Sequence, residues 1–285
     1  MSEINWKEKQ ISTEKNGKPI LLGDLQERLL MMTRDIIQVL ENNNINYFAE
    51  GGTLLGAIRH NGIIPWDDDI DLGFFIEDYE KIVEVLQNEL DDKKYFVQCL
   101  DTDDKYNVVQ PIIKVRLKGT YTCYDVWYDK NRGKYNGIFI DLISYSNVSE
   151  NGLTNFIYRF PAFLRTLVLI MFNYFNINFM WLKKRHLKKA FEFDTKSKKS
   201  KLVGVAINNI AWKNISFEKD IFQKYKKCNF SGIEIKINEN YDALLTKMYG
   251  DYMTEPNIKD IKFMHSKGLR LEDDNENKTY NCDNE

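Results

Sequence analysis

Two aspartates spaced one residue apart are the side chains of this sequence best suited to chemistry. Asp69 and Asp71 flank Ile70 in the run Trp-Asp-Asp-Asp-Ile-Asp-Leu-Gly-Phe. Because successive side chains of a β-strand point to opposite faces, this spacing predicts both carboxylates on one face and Ile70 in the core. Neighbouring carboxylates repel each other unless a positive group lies between them, and hard divalent cations prefer oxygen ligands. The pair therefore predicts a site for Mg²⁺ or Mn²⁺; the alternative is a solvent-exposed acidic turn.

A third carboxylate occupies an apolar strand candidate further along the chain. Asp141 stands in the sequence Ile-Phe-Ile-Asp-Leu-Ile at 138–143. An unpaired charge among such residues is costly to bury, so we expect Asp141 to bind the same cation or to act as a base. Carried on a strand next to that of Asp69 and Asp71, it would complete a metal site of three carboxylates.

A glycine pair precedes the acidic run. Gly51 and Gly52 lie between a strand candidate at 45–49 and a short helix candidate at 53–60. Without Cβ atoms the backbone approaches a ligand closely, and the first N–H groups of the following helix can bind phosphate oxygens. A glycine pair alone is a weak signal, but it becomes a strong one when an Asp-x-Asp strand and a third strand aspartate follow.

Several cations are candidates to neutralise charge at such a site. Arg59 ends the short helix after the glycine pair, where the alternative role is to cap the helix carbonyls. Lys114 and Arg116 share one face of the strand candidate at 108–117, so both can point into a cleft. The alternative for these two is an edge strand whose charges face water. His265, one of three histidines, is a further candidate.

The overall composition limits the remaining function classes. The 285 residues carry 40 Lys and Arg against 42 Asp and Glu, a formal net charge of -2, so the overall basic field of a nucleic-acid binder is absent. The four cysteines form no Cys-x-x-Cys pair, which argues against a zinc site or a disulfide framework. The N-terminus is polar and lacks the apolar stretch of a secretory signal. We therefore expect a cytoplasmic protein.

The pattern of apolar residues predicts an α/β (α+β) fold, with a mixed sheet flanked by helices and a mostly helical C-terminal half. Amphipathic helices are predicted at 24–41 and 78–90, and strands at 45–49, 70–75, 95–100, 108–117, 121–127 and 138–143. We expect residues 1–150 to form the catalytic core and 151–270 to form a mostly helical region that completes the site. Residues 271–285 are predicted to be a polar tail.

One segment of the helical region raises the question of membrane contact. Residues 153–190 begin with a stretch rich in Phe, Leu, Ile and Met and continue with a cluster of Lys and Arg. The charge-free part, 166–182, has 17 residues. A membrane-spanning helix needs about 20 apolar residues. Two interpretations remain open: a helix lying in the interface of an anionic membrane, and a buried helix followed by a solvated basic turn.

The order of these motifs resembles that of the LicD family of phosphocholine-type transferases, which is related to the fukutin-related proteins and to the nucleotidyltransferase-fold superfamily. The similar segments run in order through residues 24–265. They are Gly51-Gly-Thr-Leu-Leu-Gly-Ala-Ile-Arg-His, Ile64-Pro-Trp-Asp-Asp-Asp-Ile-Asp, Gly137-Ile-Phe-Ile-Asp, and Tyr249-Gly-Asp-Tyr-Met followed by Pro256 and His265. After Asp141 the family often has a Phe/Val-Pro-Leu/Lys-Asp run, whereas this chain has Leu142-Ile-Ser-Tyr. That departure concerns the choice of acceptor.

The resemblance implies a metal-dependent transferase. Such an enzyme moves a phosphoryl-alcohol group, for example phosphocholine from CDP-choline, to a hydroxyl group of a cell-surface glycan or teichoic-acid-type precursor, and it releases CMP. Lipopolysaccharide, capsule and lipid-linked glycans are acceptors of this kind. By the same resemblance, the ligands of Mg²⁺ or Mn²⁺ and the catalytic residues are Asp69, Asp71 and Asp141. The residues that hold the donor phosphates are Gly51, Gly52 and Thr53, with Arg59, Lys114, Arg116 and His265 as supporting candidates.

Two other functions are compatible with the same residues. An enzyme of the same fold could move a nucleotide from a nucleoside triphosphate to a hydroxyl acceptor and release pyrophosphate. A non-catalytic protein of the same fold could bind at a membrane surface, as a peripheral protein on the inner face of the cell membrane. The released product, CMP or pyrophosphate, separates the two enzymes, and the complete set of carboxylates argues against the non-catalytic protein.

Overall fold

The computed structural model of the protein describes residues 5–106, 111–124, 133–175, 177–206, 216–257, 259, 261 and 266–272. The helices in these ranges are α1 Leu22–Asn42, α2 Gly51–Arg59, α3 Tyr79–Glu89, α4 Gly152–Tyr174, α5 Met180–Lys196 and α6 Tyr241–Tyr249. The strands are β1 Gln10–Thr13, β2 Pro19–Leu21, β3 Phe48–Ala49, β4 Asp71–Phe75, β5 Tyr95–Gln98, β6 Ile112–Leu117, β7 Tyr121–Tyr124, β8 Phe139–Val148, β9 Leu202–Val205, β10 Phe217–Glu218, β11 Tyr225–Phe230, β12 Ile233–Asn238 and β13 Ser266–Arg270. Short 3-10 turns occur at Trp6–Glu8, Ile76–Asp78 and Lys219–Phe222.

A seven-stranded mixed sheet forms the centre of the fold. Its longest strand, β8, pairs in parallel with β4 along one side. On the other side β8 pairs antiparallel with β6 through its first half and with β9 through its second half. The sheet continues from β4 to β3, from β6 to β5 and from β9 to β10. Residues at the start of β8 therefore have paired strands on both sides.

Helix α1 shows how the apolar periodicity becomes a packed face. The Asp24 carboxylate fixes the start of the helix by accepting a hydrogen bond from the Leu21 N–H at 2.9 Å. This is one of the two hydrogen bonds of a capping box. The helix packs against α3 and against β8. Its buried apolar residues recur every three or four positions and form one stripe: Leu25, Leu29, Met32, Ile36 and Leu40.

A β-hairpin supports the loop that leads into the acidic run. Strands β11 and β12 pair with each other; β12 packs against β3 and β11 packs against α2. Their turn contains Ser231, whose N–H donates to the Asn61 carbonyl at 3.0 Å. The Ser231 hydroxyl accepts a hydrogen bond from the Ile63 N–H at 3.1 Å. These two hydrogen bonds fix the position of the loop between α2 and the aspartates.

The predicted fold class is confirmed, since a mixed sheet is flanked by helices. From α1 to β8 the chain follows the predicted order of elements, although β4 begins only at Asp71 and β8 extends to Val148; β1 and β2 were not predicted. More of the described residues in 151–270 are helical than extended, but this range also contributes the five strands β9 to β13, which no sequence pattern predicted. Strands as short as β9 and β10 depend on their partners in the sheet rather than on their own alternation.

Helix α4 is apolar and largely exposed. Its length and composition would allow it to cross a membrane. Only 17% of its most apolar 18-residue stretch is buried within the protein. The interpretation of this segment as a buried helix is therefore wrong for α4. Contact with a membrane stays a prediction at this point.

Gly73 of β4 provides a test of the packing behind the site. It lies opposite Phe48 of β3, and a Cβ at this position would come within 2.1 Å of the Phe48 ring. We expect Gly73→Ala to lower the free energy of unfolding by about 1–3 kcal/mol because the ring must shift. The measurement is urea unfolding followed by circular dichroism.

Gly152→Ala is the matched control, because a Cβ there meets nothing within 4 Å. Its free energy of unfolding should equal or slightly exceed that of the parent. Equal stability of the Gly73→Ala and Gly152→Ala variants would contradict the close packing of β4 on Phe48.

Candidate active site

The candidate catalytic side chains form one row across the sheet. Asp71 of β4 lies directly opposite Asp141 of β8, and Asp141 lies opposite Lys114 of β6. Lys114 in turn lies opposite Gln98 of β5. Side chains of directly paired residues lie on the same face of a sheet. The sequence prediction that the Asp71 and Asp141 strands are neighbours is therefore correct. Lys114 extends the row on the other side of Asp141.

Lys114 and Asp141 form a close ion pair. The lysine Nζ lies 2.7 Å from Oδ1 and 2.8 Å from Oδ2 of the carboxylate. The two side chains are 9% and 18% exposed, respectively. The same Nζ lies 3.7 Å from the centroid of the Phe139 ring. The alternative that Lys114 is a water-facing charge on an edge strand is wrong, because β6 is paired on both sides.

Arg116 lies on the same face of β6 but is held by other partners. Its guanidinium is 4.8 Å from the Phe139 ring centroid, so the predicted shared face of Lys114 and Arg116 is present. The Nε donates to Gln98 Oε1 at 2.5 Å and Nη1 donates to the Gly137 carbonyl at 2.8 Å. Arg116 is 2% exposed, so it too is no edge-strand charge. These contacts fix Arg116 beside the row, and its predicted part in holding the donor phosphates stays untested.

Asp71 stands where negative charge exceeds positive charge. Burial raises the pKa of its carboxyl group well above the ordinary value, and the charges of Asp69, Asp141 and Glu50 raise it further. The charge of Lys114 acts in the opposite direction. Oxygen ligands with an excess of negative charge are the donor set that a hard divalent cation prefers. The residues present therefore fit a divalent metal ion.

The acidic run forms a compact group of carboxylates beside this row. One oxygen of each of Asp67, Asp68 and Asp69 lies within 4.8 Å of the others. Burial and the neighbouring Asp68 raise the pKa of Asp67 to about 6. Asp68 is only 6% exposed, which does not fit a solvent-exposed acidic turn. Sequence analysis named Asp69, Asp71 and Asp141 as metal ligands; that choice among the available carboxylates stays a prediction.

A buried glutamine of α1 holds the backbone of the acidic run. Gln26 Nε2 donates to the Asp67 carbonyl at 3.0 Å. It also lies 3.4 Å from the Pro65 carbonyl oxygen and 3.5 Å from that of Ile64. Gln26 is 5% exposed, and sequence analysis missed it. The sequence did offer a signal, since Gln26 is an amide next to Leu25 on the apolar face of an amphipathic helix. A buried amide needs hydrogen-bond partners.

The glycine pair places the start of α2 against the acidic run. Gly51 has a φ of +52°, in the left-handed region that favours glycine. A Cβ on Gly52 would lie 3.2 Å from Asp67 Oδ2, so the backbone approaches this carboxylate closely. The first N–H groups of a helix have no partner within the helix and are partners for phosphate oxygens. Diphosphate bound there would lie next to the carboxylates.

Thr53 joins this turn to the start of β4. Its hydroxyl oxygen accepts a hydrogen bond from the Asp71 N–H at 2.8 Å. The Glu50 N–H donates to the Asp71 carbonyl at 3.2 Å. Both backbone groups of Asp71 are therefore bound by residues around the glycine pair. The hydroxyl hydrogen of Thr53 remains able to donate, so the predicted phosphate contact is compatible with this geometry.

A glutamate and two tyrosines complete the surroundings, and sequence analysis gave none of them a role. The Tyr145 hydroxyl donates to Glu50 Oε1 at 2.7 Å, and burial raises the pKa of Glu50. The Tyr249 hydroxyl lies 3.7 Å from the point where a Cβ on Gly51 would stand. Burial, Glu50 and the nearby aspartates raise the pKa of Tyr249. Two signals were available: the position of Glu50 directly before the glycine pair, and the place of Tyr249 in the Tyr-Gly-Asp-Tyr-Met segment.

Arg59 lies at the other end of α2 from the glycine pair. Its Nη1 donates to the carbonyls of Tyr252 at 3.0 Å and Thr254 at 3.4 Å. Its guanidinium lies 6.0 Å from the ring centroid of Trp66. These contacts fasten the segment after α6 to the loop before the acidic run, and the predicted phosphate contact of Arg59 stays untested. His265 lies outside the described residues.

The mixed sheet, the glycine turn that begins a helix, and the carboxylates on two adjacent strands define a nucleotidyltransferase-type α/β domain. Residues 44–161 match the family described as LicD/FKTN/FKRP, nucleotidyltransferase domain. This match covers less than half of the chain, and it confirms the resemblance predicted from the motifs. The matched range contains the glycine pair, the acidic run and the Asp71–Asp141–Lys114 row.

Individual relatives cover different shares of the chain. The lipopolysaccharide cholinephosphotransferase LicD of Haemophilus influenzae is 26% identical over 245 residues, which is 79% of this chain and 88% of that protein. Ribitol 5-phosphate transferase FKRP of Homo sapiens is 56% identical over 45 residues, 16% of this chain and 9% of the relative. An uncharacterized protein of Rickettsia prowazekii is 32% identical over 138 residues. That match covers 47% of this chain and 47% of the Rickettsia protein.

Replacement of Thr53 tests the link between the glycine turn and β4. We expect Thr53→Val to lower the free energy of unfolding by about 1–3 kcal/mol, because the buried Asp71 N–H loses its acceptor. Thr53→Ser keeps the oxygen and is the matched control, with a smaller loss. Urea unfolding of the two variants is the measurement. A Val variant as stable as the Ser variant would show that this hydrogen bond does not hold β4.

The raised pKa of Asp67 predicts a pH dependence of stability. Between the ordinary aspartate value of 3.8 and about 6, the folded state keeps a proton that the unfolded state has lost. In metal-free buffer, stability should therefore fall as pH rises through this window, by about 3 kcal/mol. Above the window, Asp67→Asn should melt at a higher temperature than the parent.

Added Mg²⁺ should restore the stability of the parent above pH 6 and should do less for Asp67→Asn. Asp92→Asn, an exposed aspartate outside the site, is the control and should behave like the parent. Thermal unfolding in chelator and in Mg²⁺ across the pH range is the measurement. Stability that rises steadily from pH 4 to 7 in chelator, with no difference between parent and Asp67→Asn, would contradict the crowding of these acids.

Proposed function

We propose that this protein transfers a phosphoryl-alcohol group, of the phosphocholine type, from a CDP-activated donor to a hydroxyl group of a cell-surface glycan or of its lipid-linked or teichoic-acid-type precursor, with release of CMP. The observation that carries the proposal is the Asp71–Asp141–Lys114 row beside a glycine turn that can bind phosphate. Further support comes from the printed names of two relatives, a cholinephosphotransferase and a ribitol 5-phosphate transferase. Both names describe the transfer of a phosphorylated alcohol.

The divalent cation of this proposal is Mg²⁺ or Mn²⁺, with Asp69, Asp71 and Asp141 as ligands and Asp67 and Asp68 close by. When bound, such an ion would neutralise the charge of the donor diphosphate and of the leaving CMP. The excess of negative charge around Asp71 supports this assignment.

The donor diphosphate is assigned to the start of α2. The N–H groups of Gly51 and Gly52 and the hydroxyl hydrogen of Thr53 are the donors there. The left-handed backbone at Gly51 and the close approach of Gly52 to Asp67 keep the phosphates next to the carboxylates. Binding in a fixed orientation brings the phosphorus atom that carries the alcohol group into line with the acceptor.

The acceptor hydroxyl is assigned to the Asp141 side of the row. Its oxygen attacks the phosphorus atom in line, its proton passes to Asp141 directly or through a water molecule, and the bond from phosphorus to the CMP oxygen breaks. Lys114 lies 2.7 Å from Asp141 and supplies the fixed positive charge of the row.

A nucleotide transferase is the second candidate, and the description of the matched family as a nucleotidyltransferase domain favours it. In that reaction the acceptor would attack the α-phosphorus of a nucleoside triphosphate and pyrophosphate would leave. The same carboxylates and glycine turn would serve both reactions, so the released product decides between them. For either reaction, activated nucleotides point to a cytoplasmic enzyme that works on its acceptor at the inner face of the membrane.

A product assay tests the proposal. Purified protein is incubated with Mg²⁺, a glycan acceptor fraction, and each of CDP-choline, CDP-ethanolamine, CDP-glycerol and CDP-ribitol, and CMP is measured by chromatography. We expect release of CMP from one of these donors, with the alcohol phosphate appearing on the glycan by mass spectrometry. Parallel reactions with nucleoside triphosphates should release no pyrophosphate.

Asp69→Ala and Asp71→Ala should each lower turnover by at least about a hundredfold while the protein stays folded, because loss of one carboxylate weakens the metal site and relieves charge repulsion. Asp92→Asn is the matched control for a lost surface charge. Pyrophosphate release from a triphosphate, with no CMP from any CDP-alcohol, would replace the proposed reaction by nucleotide transfer. Parent-like turnover in either alanine variant would overturn the metal site.

A further inference from the structure

Exposed apolar side chains are concentrated in one part of the molecule. Of the fifteen large hydrophobic residues exposed within the described ranges, thirteen lie between Leu153 and Trp181. The other two, Tyr249 and Met253, follow one another closely near α6. A soluble protein rarely exposes a continuous apolar patch of this size unless the patch has a partner. The region α4–α5 therefore carries an interaction surface.

Helix α4 has two stripes on opposite faces, an inner one that is buried and an outer one that is apolar and exposed. The inner stripe contains both apolar and polar residues: Ala162, Thr166, Leu169 and Asn173. The outer stripe recurs every three or four residues along the whole helix and consists of Leu153, Phe156, Ile157, Phe160, Leu164, Leu167, Val168, Met171 and Tyr174. At 100° per residue the two sets point in opposite directions. The outer stripe continues past the helix through Phe175, Ile177, Phe179 and Trp181.

The attachments of α4 and α5 keep both helices along the body of the protein. The chain leaves the sheet at the end of β8 and returns in β9, its antiparallel neighbour. At that end, Asp194 Oδ1 accepts hydrogen bonds from the N–H and side chain of Asn147 at 2.7 and 2.8 Å. At the other end, Asn178 Nδ2 donates to the Asp104 carbonyl at 2.7 Å and Lys184 Nζ lies 2.8 Å from Asp101.

Because both ends of the pair are fastened to the same body, α4 presents its long side outward and does not project from the protein. A helix held in this way can lie in the plane of a membrane interface, with its outer stripe among the acyl chains. It cannot cross the bilayer without carrying the attached sheet with it. Length and composition alone would have allowed a spanning helix.

The charge around the stripe selects the kind of membrane. Residues 152–201 contain eleven Lys and Arg but only two Asp and Glu, although the whole chain has a formal net charge of -2. Arg185 and Lys188 of this set are exposed on α5 next to the end of the stripe. Cationic groups beside an apolar stripe are attracted to anionic lipid headgroups. A second copy of this chain would instead bring two sets of the same cations together.

We propose that the outer stripe of α4, with the cations of α5, docks this protein in the plane of an anionic bilayer. The inference stands apart from the proposed reaction, because it rests on α4 and α5 and not on the carboxylate row. Docking would hold the protein at the surface where lipid-linked molecules are found.

Co-sedimentation of the full chain with lipid vesicles tests this proposal. Vesicles of phosphatidylcholine alone are compared with vesicles that also contain phosphatidylglycerol. We expect the partition coefficient at low salt to be at least about tenfold higher with the anionic vesicles, and this preference to shrink as salt is added. Absence of binding to anionic vesicles at low salt would overturn the proposal, and this arm requires no variant.

Substitutions separate the stripe from the rest of the surface. Phe160→Glu and Leu167→Glu should each lower the partition coefficient at least about tenfold, because a charge replaces an apolar group at the membrane. Met253→Glu, an exposed apolar residue outside the stripe, is the matched control and should bind like the parent. Circular dichroism checks that the variants are folded. If one of the two stripe variants does not fold, the other still tests the proposal.

Two further measurements distinguish other arrangements. Light scattering after size exclusion should show the same mass for the parent and the stripe variants. A parent dimer that Leu167→Glu dissociates, without vesicle binding, would assign the stripe to a second copy and overturn the proposal.

The depth of Trp181 in the bilayer is measured by fluorescence. The fluorescence of the parent on vesicles minus that of the Trp181→Phe variant gives the signal of Trp181. Quenching of this signal by shallow brominated lipids more than by deep ones is expected; stronger quenching by deep lipids would contradict docking in the plane of the interface.

Discussion

The excess of negative charge in the row of Asp71, Asp141 and Lys114 is the constraint on which the rest of the site depends. One lysine faces two strand carboxylates, and Asp69 and Glu50 add to the charge that acts on Asp71. Burial of like charges opposes folding unless a cation or a proton compensates it. The sheet can hold such a row because β8 is paired on both sides, so its backbone cannot shift to relieve the repulsion. Local rules of folding are broken most often where a protein functions.

The glycine turn and the row behave as one unit because they share hydrogen bonds. Thr53 and Glu50 bind the two backbone groups of Asp71, so the first turn of α2 and the first residue of β4 have a fixed relation. Gln26 fixes the acidic run from the side of α1. Phosphate-binding N–H groups and carboxylates are thus brought together by contacts among α1, α2 and the sheet. Positioning of this kind is the main contribution that a protein makes to phosphoryl transfer.

The order of elements from α1 to β8 and the adjacency of the Asp71 and Asp141 strands could be predicted from the sequence, whereas the environments of the site residues could not. Alternation placed Lys114 and Arg116 on one face, and this was correct. Their burial depends on which strands flank β6, which is a property of the sheet and not of the local pattern. The roles of Glu50 and Tyr145 were missed for the same reason, since 95 positions separate the two in sequence.

Helix α4 shows a second limit of pattern analysis. Apolar residues on both of its faces left a buried helix and an interfacial helix equally compatible with the sequence. Tertiary packing distinguishes the two stripes, since Ala162 and Leu169 are covered while Phe160 and Leu167 are exposed. Strands β9 and β10 likewise escaped prediction, because they have only four and two residues and are defined by their partners.

Anomalous diffraction from crystals grown with Mn²⁺ and CDP would locate the metal ion and the diphosphate. We expect an anomalous peak within about 2–2.5 Å of a carboxylate oxygen of Asp71, with a second ligand from Asp69 or Asp141 and with the diphosphate at the N–H groups of Gly51 and Gly52. A peak elsewhere on the protein, or a diphosphate bound away from the start of α2, would contradict this expectation.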